Sequence, residues 1–268
     1  MNTANDVSYV RVGDAELAYQ VFGHGKRDLL FLHGYSIQST GTLYANLYES
    51  LGDAFTVFAF DRRGHGHSSH VSGSWTMAQV AGDIAGAVRA LGLRDTVHAG
   101  HSFGGFMGLL TELLHPGTFS ALVLLAPLAA SGGKATPEEV KSTITNEGRN
   151  GEIMGGLYKQ MYVRAIDEPK VQPLVNAVAR MDRSVHEAYF YQEYPSVVIT
   201  DRLGEIKAPV LHLLGAHDSV VAPEEQHLTA RGLLRGKEII FSDEGHMLPL
   251  ESPERTAREI INFCQYDI

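Results

Sequence analysis

The sequence has 268 residues, of which 44% are hydrophobic and 20% charged, a composition that excludes disordered, collagen-like and disulfide-stapled classes. Its 22 Lys and Arg residues against 31 Asp and Glu residues give a formal charge of −9, which disfavours nucleic-acid binding, because that binding depends on basic residues. The single cysteine, Cys264, allows no intrachain disulfide, residues 1–9 carry no secretory-type apolar run, and no later run could span a bilayer, so we expect a cytoplasmic protein with neither nucleic-acid nor membrane partners.

The first predicted elements are two strands, Val7–Val12 and Glu16–Phe22, which the Gly13-Asp14 turn joins as a hairpin. Continuous apolar runs follow along the chain, and such runs indicate strands buried on both faces of a parallel sheet. These runs are Asp28–Leu32, Phe55–Phe60, Thr96–Ala99, Ala121–Ala126, Pro209–Leu214 and Glu238–Phe241.

Helical periodicity occupies the intervals between these strands. Met77–Leu91 repeats apolar residues with helical spacing, and Ser74 is its predicted N-cap. Phe106–Leu114 and Glu254–Phe263 predict two further helices. Because strands and helices alternate, the sequence predicts the α/β class, with function in the loops at the carboxyl ends of the strands.

One long segment interrupts this alternation. Residues 129–205 contain no buried strand pattern, but helix-like pieces run near 137–146, 153–165 and 171–181. A structureless loop of this length is uncommon, so we interpret the segment as a helical insertion between core residues 1–128 and 206–268.

The strongest chemical signal is Gly100-His101-Ser102-Phe103-Gly104, between a predicted strand and a predicted helix. A serine on a sharp strand-to-helix turn needs small neighbours, and the glycines supply that room. The pattern predicts Ser102 as a nucleophile whose hydroxyl is exposed at the end of the strand.

A serine nucleophile needs a base and an orienting acid, and in this motif type the acid and then the base follow the serine in the chain. His246 follows the last strand, and Asp218 follows the strand before it, so we predict them as base and acid. Asp243 and Glu244 are interpreted as solvated turn residues. The other histidines after Ser102 are assigned to non-catalytic positions: His115, His186, His212, His217 and His227.

Acyl transfer also needs two N–H donors for the developing oxyanion. The Phe103 N–H is one predicted donor, since it follows the nucleophile at the start of a helix. The second should come from the loop after Asp28–Leu32, where the Tyr35 N–H is the first candidate and the Ser36 N–H the alternative.

These segments together resemble the α/β-hydrolase fold superfamily, in its serine-nucleophile, cap-containing form. The matching pieces stand in the order of that superfamily: His33-Gly34-Tyr35, Asp61–Ser68, Gly100–Gly104, Gly215-Ala216-His217-Asp218 and Gly245-His246. The resemblance implies an eight-stranded, mostly parallel sheet with helices on both faces and a helical cap (residues 129–205) after strand 6. It implies the Ser102–Asp218–His246 triad, an oxyanion hole at Tyr35 and Phe103, and a structural turn at Asp61–Ser68.

The resemblance also implies a function. We expect a serine hydrolase that cleaves a small, largely apolar carboxylic ester or lactone through an acyl-enzyme, without cofactor or metal, as a monomer or homodimer. Two alternatives remain open: a carbon–carbon bond hydrolase of vinylogous diketones, although Tyr35-Ser36-Ile37-Gln38 lacks the glycine-rich stretch common in those enzymes, and a small-molecule receptor with little turnover. The predicted substrate-binding residues are Met154, Tyr158, Tyr162, Tyr189 and Met247.

Overall fold

A computed structural model gives the fold and describes residues 6–35, 37–70, 75–133, 151–164, 166, 168–180, 185 and 193–268; residues 151–154, 168–170 and 179–180 are described by backbone alone. The chain forms an eight-stranded sheet with the spatial order β1-β2-β4-β3-β5-β6-β7-β8. The strands are β1 (Ser8–Val12), β2 (Ala15–Phe22), β3 (Arg27–Leu32), β4 (Phe55–Phe60), β5 (Val97–His101), β6 (Ala121–Leu125), β7 (Val210–Gly215) and β8 (Gly236–Phe241).

The sheet is parallel from β4 through β8, while β2 pairs antiparallel with both β1 and β4. Successive side chains of a strand point to opposite faces. In β3, Leu29 and Phe31 therefore join one core cluster, and Leu30 and Leu32 join the other. This explains the continuous apolar runs, because both faces of the central strands are covered.

Helices cover both faces, as the fold class requires. The described helices are α1 (Ala45–Leu51), α2 (Met77–Ala90), α3 (Phe103–Leu114), α4 (Gly151–Met161), α5 (Glu168–Arg180), α6 (Pro223–Gly232), α7 (Leu248–Glu251) and α8 (Pro253–Tyr266). Helices α2 and α3 pack together on one face, and α1 and α8 pack together on the other. The predicted eight-stranded α/β-hydrolase sheet is thus confirmed.

Two local predictions need correction. The N-cap of α2 is Thr76, whose side chain accepts a hydrogen bond from the Gln79 N–H at 3.1 Å, so the prediction of Ser74 was wrong. Helix α3 begins at Phe103, three residues earlier than predicted, because the helix starts directly at the turn that holds Ser102.

The segment between β6 and β7 contains α4, α5 and a 3₁₀ helix at Thr200–Glu205 within its described part. The predicted helix near 137–146 lies outside the described residues. Tyr158 of α4 and Leu174 of α5 are buried in the same core cluster as α1 and α8. The assignment of residues 129–205 as a cap stays a prediction.

Among the residues that the structure describes, no helix is both long enough and apolar enough to cross a bilayer.

Candidate active site

Ser102 lies at the sharp turn between β5 and α3. Its backbone adopts φ 52° and ψ −115°, a left-handed conformation that is strained for a residue with a side chain. A Cβ added at Gly100 would lie 2.3 Å from the Gly104 carbonyl oxygen, and one at Gly104 would lie 2.3 Å from the Leu32 carbonyl oxygen. The two glycines of the motif are therefore required by close backbone packing.

The strained turn is fixed by backbone hydrogen bonds on both sides. The Ser102 N–H donates to the Leu125 carbonyl at 2.8 Å, which ties the turn to the end of β6. The Ser102 carbonyl accepts from Gly105, Phe106 and Leu128 at 3.0, 3.2 and 3.1 Å. This arrangement holds the Ser102 hydroxyl at the carboxyl edge of the sheet.

His246 connects the serine to a buried carboxylate. Its Nε2 lies 2.9 Å from Ser102 Oγ, and its Nδ1 lies 2.9 and 3.1 Å from the two carboxylate oxygens of Asp218. All three side chains belong to buried residues. When Nδ1–H donates to the carboxylate, Nε2 is left as an acceptor for the serine hydroxyl proton, which is the tautomer that a general base needs.

Asp218 is kept ionised by its neighbours. Burial alone would raise the pKa of this carboxyl group, but the charge and hydrogen bond of His246 and the Val220 and Val221 N–H groups hold its pKa below the usual value. Those two N–H groups donate to Oδ1 at 2.8 and 2.9 Å. Asp218 therefore remains available as a carboxylate that orients the imidazole.

Sheet register explains why residues so distant in sequence meet. His101 pairs with Leu125, Leu125 pairs with Leu213, and Gly215 pairs with Phe241. The carboxyl ends of β5, β7 and β8 thus lie at one edge of the sheet, and the loops that follow them carry Ser102, Asp218 and His246.

The two predicted oxyanion donors lie next to this arrangement. Phe103 is the first residue of α3, and its ring lies 6.3 Å from the ring of Tyr35. A Cβ built on Gly34 would lie 3.4 Å from Ser102 Cβ, so the loop after β3 passes beside the serine. Ser36, the alternative donor, lies outside the described residues. The roles of the Tyr35 and Phe103 N–H groups stay predictions.

His101 of the motif supports the loop that carries His246. Its Nε2 lies 2.9 Å from the His246 carbonyl oxygen, and its Nδ1 lies 2.8 Å from the Tyr44 hydroxyl. Burial first, and the charge of His246 second, lower the pKa of His101 to about 3. The ring is therefore neutral, with Nε2–H donating to the carbonyl and Nδ1 accepting from Tyr44.

The predicted substrate-binding residues fall into two groups. Tyr158 and Met247 are buried in the core cluster that includes α1 and α8, and Tyr162 packs against that cluster. The structure describes only the backbone of Met154, which lies on α4. Tyr189 lies outside the described residues. Substrate contact by these five residues stays a prediction.

The interpretation of Glu244 as a solvated turn residue was wrong. Glu244 is a buried residue, 1% exposed. Its carboxylate pairs with Arg164 at 3.1 Å and accepts a short hydrogen bond from Ser252. Asp243 beside it is exposed, as predicted. The sequence missed Glu244 because its cationic partner lies 80 residues away in the chain.

No group of three or more His, Cys, Asp and Glu side chains is arranged to hold a metal ion in the part of the chain that the structure describes. His65 and His67 lie in the Asp61–Ser68 turn, which the Asp61 carboxylate organises by accepting from the backbone N–H groups of Ser39, Thr40 and His67.

Comparison with known proteins agrees with this architecture. A bifunctional esterase/perhydrolase from Acinetobacter calcoaceticus is 25% identical, over 97% of this chain and 100% of that protein. An esterase from Exiguobacterium antarcticum superposes with a TM-score of 0.87 at 18% identity, covering 96% of this chain and 99% of that one. An enol-lactonase from Burkholderia xenovorans superposes with a TM-score of 0.84 at 20% identity, covering 96% and 100%.

The last two matches show a shared fold. The model of the alpha/beta hydrolase family matches residues 29–259, which include every residue of the candidate triad and both predicted oxyanion donors. The chain therefore belongs to the alpha/beta hydrolase family.

Proposed function

We propose that this protein is a serine hydrolase that cleaves a small, largely apolar carboxylic ester or lactone through an acyl-enzyme. The observation that carries the proposal is the continuous hydrogen-bonded path from Ser102 Oγ through His246 to Asp218, with the closest distances 2.9 Å on both sides of the imidazole. A serine hydroxyl is a weak nucleophile until a base of this kind removes its proton.

Acylation follows from this geometry. His246 Nε2 takes the hydroxyl proton as Ser102 Oγ bonds to the ester carbonyl carbon, and the carbonyl oxygen becomes an anion. The Tyr35 and Phe103 N–H groups are the proposed donors for that anion. When the tetrahedral intermediate collapses, the bond to the leaving alcohol breaks, and His246 returns its proton to the departing oxygen.

Deacylation repeats these steps with water. His246 removes a proton from a water molecule that attacks the acyl carbon, and Ser102 leaves with the proton that the imidazole carried. Asp218 stabilises the imidazolium that forms in both halves of the reaction. With a lactone the leaving alcohol stays joined to the acyl group, so the product is one hydroxy acid.

Names of the relatives support ester and lactone chemistry. The Acinetobacter relative is named an esterase/perhydrolase, and the structural neighbours above are an esterase and an enol-lactonase. The first name also favours a second candidate activity, in which hydrogen peroxide replaces water in deacylation and releases a peracid. Peracid formation from an ester and hydrogen peroxide would identify that activity.

A panel of p-nitrophenyl esters and lactones, compared between wild type and Ser102→Ala, tests the proposal. We expect multiple turnovers by the wild type and a loss of kcat of about 10⁴-fold or more in the variant. Retained activity in Ser102→Ala would overturn the nucleophile assignment. Cleavage of a vinylogous diketone without ester turnover would favour the carbon–carbon hydrolase, and ligand binding without turnover would favour the receptor.

A further inference from the structure

Arg62 is a buried cation close to the candidate active site. It lies two residues after the end of β4 and is only 2% exposed. Leu32 of β3 pairs with Phe60 of β4 on one side and with Gly100 of β5 on the other. The residues just after these three strands are therefore neighbours, so Arg62 reaches both the loop after β3 and the turn at Ser102.

The guanidinium group contacts both predicted oxyanion donor segments. Its Nη2 donates to the Gly34 carbonyl oxygen at 2.8 Å, and its Cζ lies 4.4 Å from the centroid of the Phe103 ring. Placing a charged group in a protein interior is costly, and a charge is retained there when it forms specific hydrogen bonds or cation–π contacts.

His33 donates to the same carbonyl. The Arg62 backbone N–H donates to His33 Nε2 at 3.1 Å, so in the neutral ring the hydrogen lies on Nδ1. Nδ1–H then donates to the Gly34 carbonyl at 2.7 Å. Burial first, and the charge of Arg62 second, hold the pKa of His33 well below its usual value, which keeps this ring neutral.

Peptide geometry links these contacts to the oxyanion site. The Gly34 carbonyl and the Tyr35 N–H belong to one peptide group, which is trans. In a trans peptide the C=O and N–H bonds point in opposite directions. Two donors that fix the carbonyl on one side therefore fix the direction of the Tyr35 N–H on the other, and Gly34 lies against Ser102.

We propose that Arg62 is a positioning residue for the oxyanion site, which fixes the Gly34–Tyr35 peptide through its carbonyl and covers the Phe103 ring with its guanidinium. A cation bonded to the carbonyl also polarises the peptide and strengthens its N–H as a donor to the developing anion. This inference rests on the proposed serine hydrolase function.

Arg62→Gln and Arg62→Lys each remove one part of the proposed contact, because glutamine keeps an N–H donor without charge and lysine keeps the charge without the planar fork. The measurements are kcat and KM for p-nitrophenyl butyrate per active site, and inhibition by butylboronic acid, which becomes tetrahedral and anionic on serine, and by butyramide, which does not. We expect kcat to fall by roughly tenfold or more in both variants, while KM stays within about threefold of the wild-type value. Removal of a whole oxyanion donor lowers kcat by about 10²–10³-fold, and a poorly positioned donor should cause part of that loss.

Boronate affinity should fall in parallel with kcat, while butyramide affinity stays near that of the wild type. If the variants lose affinity equally for butylboronic acid and for butyramide, Arg62 has a merely structural role and the inference is overturned. An unchanged kcat would also overturn it.

Arg63→Lys is the matched control. The adjacent Arg63 is equally buried but pairs with Asp83 and Asp14, so the boronate affinity of this variant should match that of the wild type.

If neither Arg62 variant folds, His33→Gln tests the same peptide from its other donor. We expect the same selective loss of boronate affinity, and unchanged affinity would overturn the inference. A wild type that neither hydrolyses the ester nor binds boronate would contradict the proposed function itself. An active wild type with equally active Arg62 variants would contradict the role of Arg62 alone.

Discussion

At the residue scale, the central feature is the conformation that Ser102 adopts. Its φ of 52° is unfavourable for a residue with a side chain. A hydrogen bond that the Ser102 N–H donates to β6, and others that the Ser102 carbonyl accepts from residues after the turn, offset that strain. The result is a hydroxyl directed at His246 Nε2. The space for this turn exists because Gly100 and Gly104 lack Cβ atoms.

Gly104→Ala should therefore disturb the turn more than an ordinary substitution. The new Cβ would lie 2.3 Å from the Leu32 carbonyl oxygen, so backbone must move, and we expect a stability loss of about 2 kcal/mol or more together with loss of most esterase activity. Urea unfolding and kcat measure the two effects.

Gly156→Ala is the matched control for that substitution. Gly156 lies within α4, and a Cβ there would meet nothing within 4 Å. Alanine is the better helix former, so we expect stability to rise by up to about 1 kcal/mol. Equal destabilisation by both substitutions would contradict the close-packing account.

Residue types and their order in the chain were enough to predict Ser102, Asp218 and His246, and the structure brings these three side chains into hydrogen-bond contact. No sequence pattern indicated a role for Arg62, because its contact with Gly34 depends on the pairing of β3 with β4. Burial of Glu244 was not predicted either, because neither local charge nor hydropathy indicates its partner Arg164, which lies 80 residues away in the chain.

At the element scale, the end of α4 is joined to the loop that carries His246. Glu251 of α7 accepts from the Val163 and Arg164 N–H groups at 2.8 and 3.2 Å through one oxygen. Its other oxygen accepts from the Gly245 N–H at 3.3 Å. One carboxylate thus bridges residues after α4 and the residue before His246.

Glu251→Ala should loosen both segments at once. We expect faster amide exchange at 162–164 and at 243–247, and a several-fold fall in kcat/KM, because the position of His246 depends on its loop. Hydrogen exchange with mass spectrometry provides the measurement. Glu205→Ala, which removes a carboxylate paired with Arg202 on the surface, is the control and should change neither segment. Faster exchange in only one of the two segments would contradict the bridge.

Elements with strong periodicity were predictable, and short ones were not. The central strands were predicted from continuous apolar runs because both sheet faces bury them. Helix α1 was missed because its seven residues give less than two full turns of pattern, and its buried side chains, Leu47, Tyr48 and Leu51, depend on packing against α8 and the sheet.

At the scale of the whole molecule, several buried histidines link stability to pH. Burial lowers the pKa of His98 to about 4 and that of His101 to about 3, and it also lowers the pKa of His33 and of His212. In the unfolded chain, histidine has a pKa of ~6.5. Between these values the unfolded state binds more protons than the folded state, so the free energy of unfolding falls as pH decreases.

His98→Gln should weaken this pH dependence. His98 Nε2 lies 3.1 Å from the Gly104 carbonyl, and glutamine offers a similar N–H donor without the titrating ring. Between about pH 4 and ~6.5, we expect the slope of unfolding free energy against pH to fall by up to about 1.4 kcal/mol per pH unit. Urea unfolding at several pH values measures the slope, and a slope equal to that of the wild type would contradict the proposed proton uptake.

The eight-stranded sheet and the family were accessible from sequence, because the spaced motifs stand in the family order and the sheet gathers them at one edge. The shape of a substrate pocket was not, since the assignment of residues 129–205 as a cap stays a prediction and residues 134–150 lie outside the described part of the chain. Tyr158 shows the difficulty: its helical spacing fits both core packing and pocket lining, and in the structure it is buried in the core cluster.

Intact-mass and peptide mass spectrometry after reaction with a fluorophosphonate tests whether Ser102 is a nucleophile activated by His246. We expect one adduct per chain, located on Ser102, with loss of esterase activity in proportion to labelling. His246→Ala should slow labelling strongly, and Ser102→Ala should abolish it. An adduct on another residue, or labelling of Ser102 at the wild-type rate in His246→Ala, would contradict activation of Ser102 by His246.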